Sequence, residues 1–315
     1  MGERPLTKPT RVLVTGAAGQ VGVDVLDTFR GVAPLGADPS YEPDRAGVAD
    51  DEFDVLGLTH HDLDLTDRDA TTRAVALTRP DVIINLAAYT QVDRAETDAG
   101  ACYAVNTGAT ETLSLAAHEV GAHLITISTD YVFDGTKGSA YVENDATNPL
   151  NVYGASKRAG ELLCASDDTI VRTSWVMGVR GKNVLHAIAQ RAASGETVRF
   201  VNDQTGTVTL ASDLARALVT LTRARPGGIW HVANSGTTTW FEVAAFAGSV
   251  LGRGDDFATA ISTSDLEPAP LATRPFRSDL STQKWVEAGW LALPEWRDGV
   301  TRLLRDRALR TEVST

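Results

Sequence analysis

The chain has 315 residues, 43% of them apolar, and a formal net charge of −12. This length accommodates one large α/β domain or two lobes around an ample hydrophobic core. The acidic balance, without a stripe of basic residues, argues against nucleic acid as a partner. No apolar run is long enough to span a bilayer, so we predict a cytoplasmic protein with no membrane partner.

The first predicted strand leads directly into a glycine-rich turn. Residues 11–22 read RVLVTGAAGQVG, and an apolar, helix-like segment follows over residues 21–29. A strand, a glycine turn and a helix in this order allow backbone N–H groups to approach a pyrophosphate closely. We therefore predict that Gly16, Gly19 and Gly22 bind a dinucleotide cofactor.

Strands and helices continue to alternate through the first half of the chain. A connection rich in Gly, Pro and Asp, over residues 31–51, is longer than most loops in compact domains. The pattern after it predicts strands at 53–58, 82–86, 123–127 and 169–172, and helices at 67–77, at 95–120 and from about 152. This order predicts an α/β fold, with a Rossmann-like doubly wound parallel sheet covered by helices on both faces.

The alternation breaks up beyond Trp175 into short apolar runs, turns and helices at 213–223 and 239–251. We therefore predict a smaller, interleaved C-terminal substrate lobe. The predicted domains are an NAD(P)-binding Rossmann domain over 10–174, with 207–235 returning to it, and a substrate-binding lobe over 175–206 and 236–310.

The segment over residues 127–161 carries the clearest sign of chemistry. It contains Tyr153 and Lys157, four residues apart, with Thr129 upstream. On a helix, such a pair lies on one face, and a nearby cation lowers the pKa of a phenol. The pair therefore suits proton transfer to or from a substrate oxygen. A lysine packed over a tyrosine is the structural alternative, and the glycine turn is the observation that favours catalysis.

Six segments together resemble the extended branch of the short-chain dehydrogenase/reductase superfamily and, within it, the dTDP-4-dehydrorhamnose reductase family. They are TGAAGQVG, INLAAYTQVDRAE, STDYVFDG, NPLNVYGASKRAGE, RTSWV and RPFRSDL, and the resemblance covers residues 11 to about 304. It implies reduction of the C4 ketone of dTDP-4-dehydro-L-rhamnose by NADPH or NADH. Tyr153 would donate the proton, with Lys157 and Thr129 as the other catalytic residues.

The resemblance also implies the contacts of the ligands. It assigns the cofactor pyrophosphate to Gly19, Gln20 and Val21, the adenine to Asp64 and Leu65, and the rest of the cofactor to Ala87, Ala88, Tyr89, Tyr153 and Lys157. It assigns the dTDP-deoxysugar to Thr129, Asp130 and Trp175, and Arg274 and Arg277 are candidates for the diphosphate. A homodimer is a possible assembly. A divalent ion is sometimes associated with the family, but we see no cluster of metal ligands in the sequence.

Cofactor preference and substrate identity stay open. Thr59, His60 and His61 follow the second strand, where a carboxylate would favour NADH and an arginine NADPH. Arg277, Met177 and Val208 replace the Asn, Tyr and Pro that are usual in the family, which leaves room for a reductase of a different dTDP-4-keto-6-deoxysugar.

Two further alternatives concern the type of activity. Some family members are non-catalytic regulatory subunits, but such proteins tend to lose the Tyr or the Lys that this chain keeps. Epimerases and dehydratases are the second alternative. Dehydratases usually carry an Asp–Glu pair after the catalytic Thr, whereas Asp130 and Tyr131 follow Thr129 here.

Overall fold

The computed structural model describes residues 8–37, 48–49, 52–181 and 183–313, with side chains described as far as residue 306. The strands are β1 (Thr10–Thr15), β2 (Phe53–Leu58), β3 (Val82–Asn85), β4 (His123–Thr129), β5 (Thr169–Thr173), β6 (Val176–Met177), β7 (Val198–Val201), β8 (Thr205–Gly206), β9 (Thr209–Leu210), β10 (Gly228–His231), β11 (Thr238–Thr239) and β12 (Ala258–Ile261). The helices are α1 (Gln20–Phe29), α2 (Arg68–Thr78), α3 (Val92–Ala95), α4 (Ala99–Tyr103), α5 (Ala109–Val120), α6 (Val152–Leu163), α7 (Val184–Ala193), α8 (Ala211–Ala224), α9 (Trp240–Val250), α10 (Gln283–Glu287) and α11 (Trp296–Val313).

The centre of the molecule is a six-stranded sheet in the order β10-β5-β4-β3-β1-β2. All of its neighbouring strands are parallel. The predicted α/β fold with a parallel sheet is therefore confirmed. The strand order reverses between β1 and β3, and ligands of open parallel sheets bind beyond the carboxyl ends of the strands at such a point.

Helices cover both faces of this sheet, and the centre of β1 is apolar for this reason. Val12 and Val14 pack into the core on the face that carries α1 and α8. Leu13 points to the opposite face, where α2 and α5 pack. Because successive strand residues point to opposite faces, the part of the strand that is buried on both sides carries consecutive apolar residues.

A second core lies among the elements that follow β5. Three of its side chains are fully buried: Leu185 of α7, Trp296 of α11, and Phe257, which immediately precedes β12. Residues of α9 complete the cluster. The short parallel pair of β7 and β12 lies against α9. The intervening α8 packs on α1, and β10 extends the large sheet beside β5. In the described part of the chain, no helix combines the length and apolar content needed to cross a bilayer.

Two predicted elements differ from the structure, and a third lies partly outside the described residues. In place of the single helix expected over 95–120, the short α3 comes first, and α4 then continues through a π-helical turn over Ala104–Gly108 into α5. Strand β4 continues to Thr129, so Ser128 and Thr129 end the strand rather than follow it. Both residues are buried in the sheet. Of the predicted loop over 31–51, residues 38–47, 50 and 51 lie outside the described residues.

Candidate active site

A cleft of about 570 Å³ lies beyond the carboxyl ends of β1, β3, β4 and β5. Its walls combine the glycine turn and α6 with Trp240 of the second lobe. Eleven of the residues predicted to bind or react with ligands line it, namely Gly16, Gly19, Gln20, Val21, Gly22, Ala88, Thr129, Asp130, Tyr153, Lys157 and Trp175. The tertiary structure therefore brings five separate stretches of sequence into one site.

The glycine turn requires glycine for steric reasons. Gly16 has a φ of +67°, and a Cβ there would lie 2.7 Å from the backbone nitrogen of Ala87. A Cβ on Gly22 would lie 2.7 Å from the carbonyl oxygen of Ala17. Gly19 caps α1 without a side-chain hydrogen bond, so the first N–H groups of this helix remain available to an anion. This cradle fits the pyrophosphate of a dinucleotide.

Replacing Gly16 with alanine should therefore weaken cofactor binding by at least about tenfold, because the Cβ displaces the backbone of the turn. The measurement is the Kd for NADPH, from fluorescence titration of the purified protein. Gly138→Ala is the matched control, because Gly138 has a similar φ of +77° but nothing within 4 Å of its Cβ. If both variants bind NADPH as the unmodified protein does, the close approach at Gly16 is not needed.

Asp64 and Leu65, predicted to flank the adenine, do not line this cleft. Asp64 is exposed, and its carboxylate accepts hydrogen bonds of 2.9 and 2.7 Å from the backbone N–H and hydroxyl of Thr66. Leu65 is buried in the core with Leu13 and Val75. Both side chains therefore have structural roles, and a contact with adenine stays a prediction.

The loop after β3 is held in place by Asn106, which lies in the π-helical turn. Its side chain accepts a hydrogen bond of 2.9 Å from the Tyr89 backbone N–H and donates one of 3.1 Å to the Tyr89 carbonyl. It also donates to Ser156 of α6, at 2.9 Å. Only Ala88 of the predicted residues 87–89 lines the cleft, because Ala87 lies against Gly16 and the Tyr89 hydroxyl donates to Asp98.

Helix α6 presents Tyr153 and Lys157 to the cleft. Asn151 caps the helix by accepting a hydrogen bond of 2.8 Å from the Gly154 N–H. The Lys157 ammonium is buried and donates to the carbonyl of Ile127 in β4, at 2.9 Å. Since an ammonium has three donors, two remain for a ligand.

Burial controls the protonation of both side chains. It raises the pKa of Tyr153, and the Thr129 hydroxyl opposes this shift. In the protein alone, this direction is opposite to the lowered pKa that the sequence suggested. Burial lowers the pKa of Lys157 to about 8, against the effects of Cys102 and Glu161. At neutral pH the phenol is therefore protonated and the ammonium mostly charged.

Thr129 and Asp130 form a buried hydrogen-bond chain at the floor of the cleft. The Thr129 hydroxyl donates to Asp130 Oδ1 at 3.0 Å, and the Ser278 hydroxyl donates to Asp130 Oδ2 at 2.5 Å. Burial raises the pKa of Asp130 to about 7, although both hydroxyls lower it. Ser278 belongs to the RPFRSDL segment, but nothing in the sequence places it beside Asp130, so it is not among the predicted site residues.

An aromatic pair closes the cleft on the side of the second lobe. The rings of Trp175 and Trp240 are stacked, with centroids 4.0 Å apart. The sequence does not predict Trp240 as a site residue, although a Thr-x-x-Glu capping box marks the start of α9 at this point. The Trp175 ring, predicted to contact the dTDP-deoxysugar, is therefore covered on one face by the Trp240 ring.

The two candidate arginines for the diphosphate are both paired in the structure. Arg274 binds Asp93 through two hydrogen bonds of 2.6 Å. Arg277 binds Asp279 at 2.7 and 3.1 Å. Arg274 lines a second cavity of about 600 Å³, which adjoins the cleft because Val184 and Trp240 line both.

One group among the described residues could hold a metal ion, which corrects the expectation that the chain has no such cluster. The ligand atoms of His118, Asp167 and Asp168 lie within 4.8 Å of one another. Asp167 and Asp168 immediately precede β5, at the edge of the sheet opposite the cleft. The His118 Nε2 already lies 3.1 Å from Asp167 Oδ1, so these side chains contact each other at a place distant from the proposed chemistry.

Comparisons with known proteins agree with this geometry. The family described as the RmlD substrate binding domain matches residues 10–309. A dTDP-4-dehydrorhamnose reductase from Streptomyces griseus is 40% identical over 306 residues, which span 94% of this chain and 93% of that protein. A dTDP-4-keto-6-deoxy-D-glucose reductase from Streptomyces niveus is 34% identical over 93% of this chain and 96% of that protein. The crystal structure of dTDP-4-dehydrorhamnose reductase from Bacillus anthracis in complex with NADP has a TM-score of 0.83 and 32% identity, over 95% of this chain and 99% of that one.

Proposed function

Because the chain belongs to the RmlD substrate binding domain family, we propose that it reduces the C4 ketone of dTDP-4-dehydro-L-rhamnose to dTDP-L-rhamnose with NADPH or NADH. The observation that carries this proposal is the convergence of Tyr153, Lys157 and Thr129 with the glycine turn in one cleft. When bound, the reduced nicotinamide supplies the hydride.

The proton comes from Tyr153 in this mechanism. Its phenol donates to the substrate oxygen as negative charge develops there during hydride transfer. The raised pKa keeps the phenol protonated at neutral pH, which a proton donor requires. Thr129 lies beside the phenol and orients the same substrate oxygen.

Lys157 supports the proton donor in two ways. Its charge stabilises the phenolate that remains after proton transfer. The bond to the Ile127 carbonyl fixes the ammonium, and its remaining donors are available to the nicotinamide ribose. The chain keeps this lysine, which regulatory subunits of the family tend to lose, and this favours the catalytic interpretation.

The second cavity supports a nucleotide-linked sugar as the substrate. Arg199 lines it, as do Arg274 with its partner Asp93 and apolar residues that include Pro268, Pro270 and Leu271. Cations suit a diphosphate, and apolar side chains suit a base. The stacked Trp175 and Trp240 lie at the border of the two cavities and offer an apolar surface to the sugar. We therefore propose that the Rossmann domain binds the cofactor and the second lobe binds the dTDP-sugar.

A second candidate is reduction of dTDP-4-keto-6-deoxy-D-glucose, which the name of the Streptomyces niveus relative suggests. Met177, which stands where the family usually has Tyr, lines the cleft and would change the shape of the sugar site. A homodimer and a cytoplasmic location remain predictions from the sequence.

The test follows NADPH or NADH absorbance with the purified protein and each of the two ketosugars. We expect oxidation of the cofactor and formation of dTDP-L-rhamnose, identified by chromatography against a standard. Consumption only with dTDP-4-keto-6-deoxy-D-glucose would select the second candidate. A folded protein that binds NADPH but reduces neither sugar would contradict both.

A further inference from the structure

Ser278 lies outside every residue set that the sequence assigned to the reaction, yet it makes a short contact with the floor of the cleft. Its hydroxyl donates to Asp130 Oδ2 at 2.5 Å, while Thr129 donates to Oδ1 of the same carboxylate at 3.0 Å. All three side chains are at least nine-tenths buried. Solvent therefore does not compete with these hydrogen bonds.

The backbone at Ser278 and at the next residue is anchored to two distant segments of the chain. Its backbone N–H donates to the carbonyl of Thr205 in β8, at 2.8 Å. The next carbonyl, of Asp279, accepts from the Tyr141 N–H at 2.8 Å. A donor that is anchored on both sides can fix the rotation of the carboxylate it binds.

We propose that Ser278 is a positioning residue for the carbonyl reduction, which acts through Asp130 to fix the Thr129 hydroxyl beside Tyr153. By occupying Oδ2, it leaves Oδ1 as the acceptor for Thr129. This inference rests on the proposed reductase function, because it concerns the hydroxyl next to the proton donor.

The protonation state of Asp130 decides whether this chain of hydrogen bonds exists. Only an ionised carboxylate accepts from two hydroxyl donors without a proton of its own. Because Ser278 occupies Oδ2, a proton gained by Asp130 goes to Oδ1, where it meets the Thr129 hydroxyl proton, so Thr129 must turn and loses its fixed orientation. The pKa of Asp130, raised to about 7 by burial, predicts that this occurs as the pH falls through neutrality.

Among the described residues, burial and hydrogen bonds are the main influences on the pKa of Asp130. Tyr153 of α6 and the adjacent Tyr131 face it, and burial raises the pKa of both phenols, so they stay neutral near pH 7. In the RPFRSDL segment, Arg274 is paired with Asp93 and Arg277 with Asp279. Lys157 of α6 stays mostly charged below its pKa of about 8.

The experiment compares Ser278→Ala with Ser278→Thr in the full-length protein. In Ser278→Ala the carboxylate loses a donor that favours its ionised form, so the pKa of Asp130 rises. We expect kcat near pH 7 to fall on the order of tenfold, with the acid limb of the kcat–pH profile moving up by about one pH unit. The Kd for NADPH should not change. Ser278→Thr keeps the hydroxyl and should restore the profile.

Ser281→Ala is the matched control, because Ser281 lies in the same segment and its hydroxyl accepts only a long bond of 3.4 Å from the Gln283 N–H. Asp130→Asn should abolish the acid limb, since an amide does not titrate, and this holds even if Ser278→Ala folds poorly. A uniform fall in kcat at every pH, with an unmoved acid limb, would show a merely structural role and overturn the inference.

A second readout separates the inference from the proposed function. The pKa of Asp130 is measured by 13C NMR of labelled aspartate carboxyls, with Asp130→Asn used for assignment. If the protein reduces neither sugar, the proposed function fails. A higher Asp130 pKa in Ser278→Ala would still support the coupling, and an equal pKa would overturn it.

Discussion

Tyr153→Phe is expected to lower kcat by about 10²–10⁴-fold, because it removes the hydroxyl with its acidic proton and leaves the ring in place. The ring packs edge-on against Tyr131, with centroids 6.0 Å apart, and phenylalanine keeps this contact. The Kd for NADPH should therefore change little. The measurements are steady-state kinetics with the ketosugar and fluorescence titration with NADPH.

Tyr141→Phe is the matched control for this variant. Tyr141 is also buried and stacks on Phe133, with centroids 4.0 Å apart, but its hydroxyl donates to Asp134 outside the cleft. This variant should keep its turnover. Retention of turnover in Tyr153→Phe would exclude Tyr153 as the proton donor and direct attention to Thr129 or to a bound water.

Glu161→Ala is expected to lower the free energy of unfolding by about 3–5 kcal/mol, because it leaves a buried guanidinium without its carboxylate. Both side chains of the Glu161–Arg172 pair are 1% exposed. The pair is bidentate, with bonds of 2.8 and 2.7 Å, and Ser128 donates to the same carboxylate at 2.5 Å. The measurement is equilibrium unfolding in urea.

The surface pair of Arg191 and Glu196 provides the control for this effect. These side chains are 58% and 57% exposed, and their ion pair is 3.3 Å long, so Glu196→Ala should cost less than about 1 kcal/mol. The double variant Glu161→Leu, Arg172→Met removes both charges and should recover much of the lost stability. Equal losses in Glu161→Ala and Glu196→Ala would contradict the argument from burial.

The Glu161–Arg172 pair also connects stability with the proposed chemistry. Glu161 lies one helical turn after Lys157 on α6, and Ser128 immediately precedes Thr129 at the end of β4. The network therefore joins α6, which carries the proposed proton donor Tyr153, to β4, which ends at Thr129. We expect partial loss of activity in Glu161→Ala even at temperatures where the variant is folded.

The alternation of apolar runs with helical periodicity was enough to predict the parallel sheet and most of its helices. Local chemistry explains this success. The side chains of Asp67 and Asn151 cap α2 and α6 by accepting hydrogen bonds from backbone N–H groups three residues later, so both helix starts depend on neighbouring residues in the sequence. The boundaries that failed depend on packing. Strand β4 extends through Thr129 because neighbouring strands bury it, and the π-helical turn accommodates Asn106 where it binds the loop after β3.

The sequence by itself determined the parallel fold, the glycine turn, and the spacing that puts Tyr153 and Lys157 on one helix face. These features depend on residues that are close together along the chain. Only the tertiary structure decided the contacts of Asp130 with Ser278, which are 148 positions apart, and of Trp175 with Trp240. It also decided the direction of the pKa shift of Tyr153, because burial is a property of the packed molecule and local spacing does not reveal it.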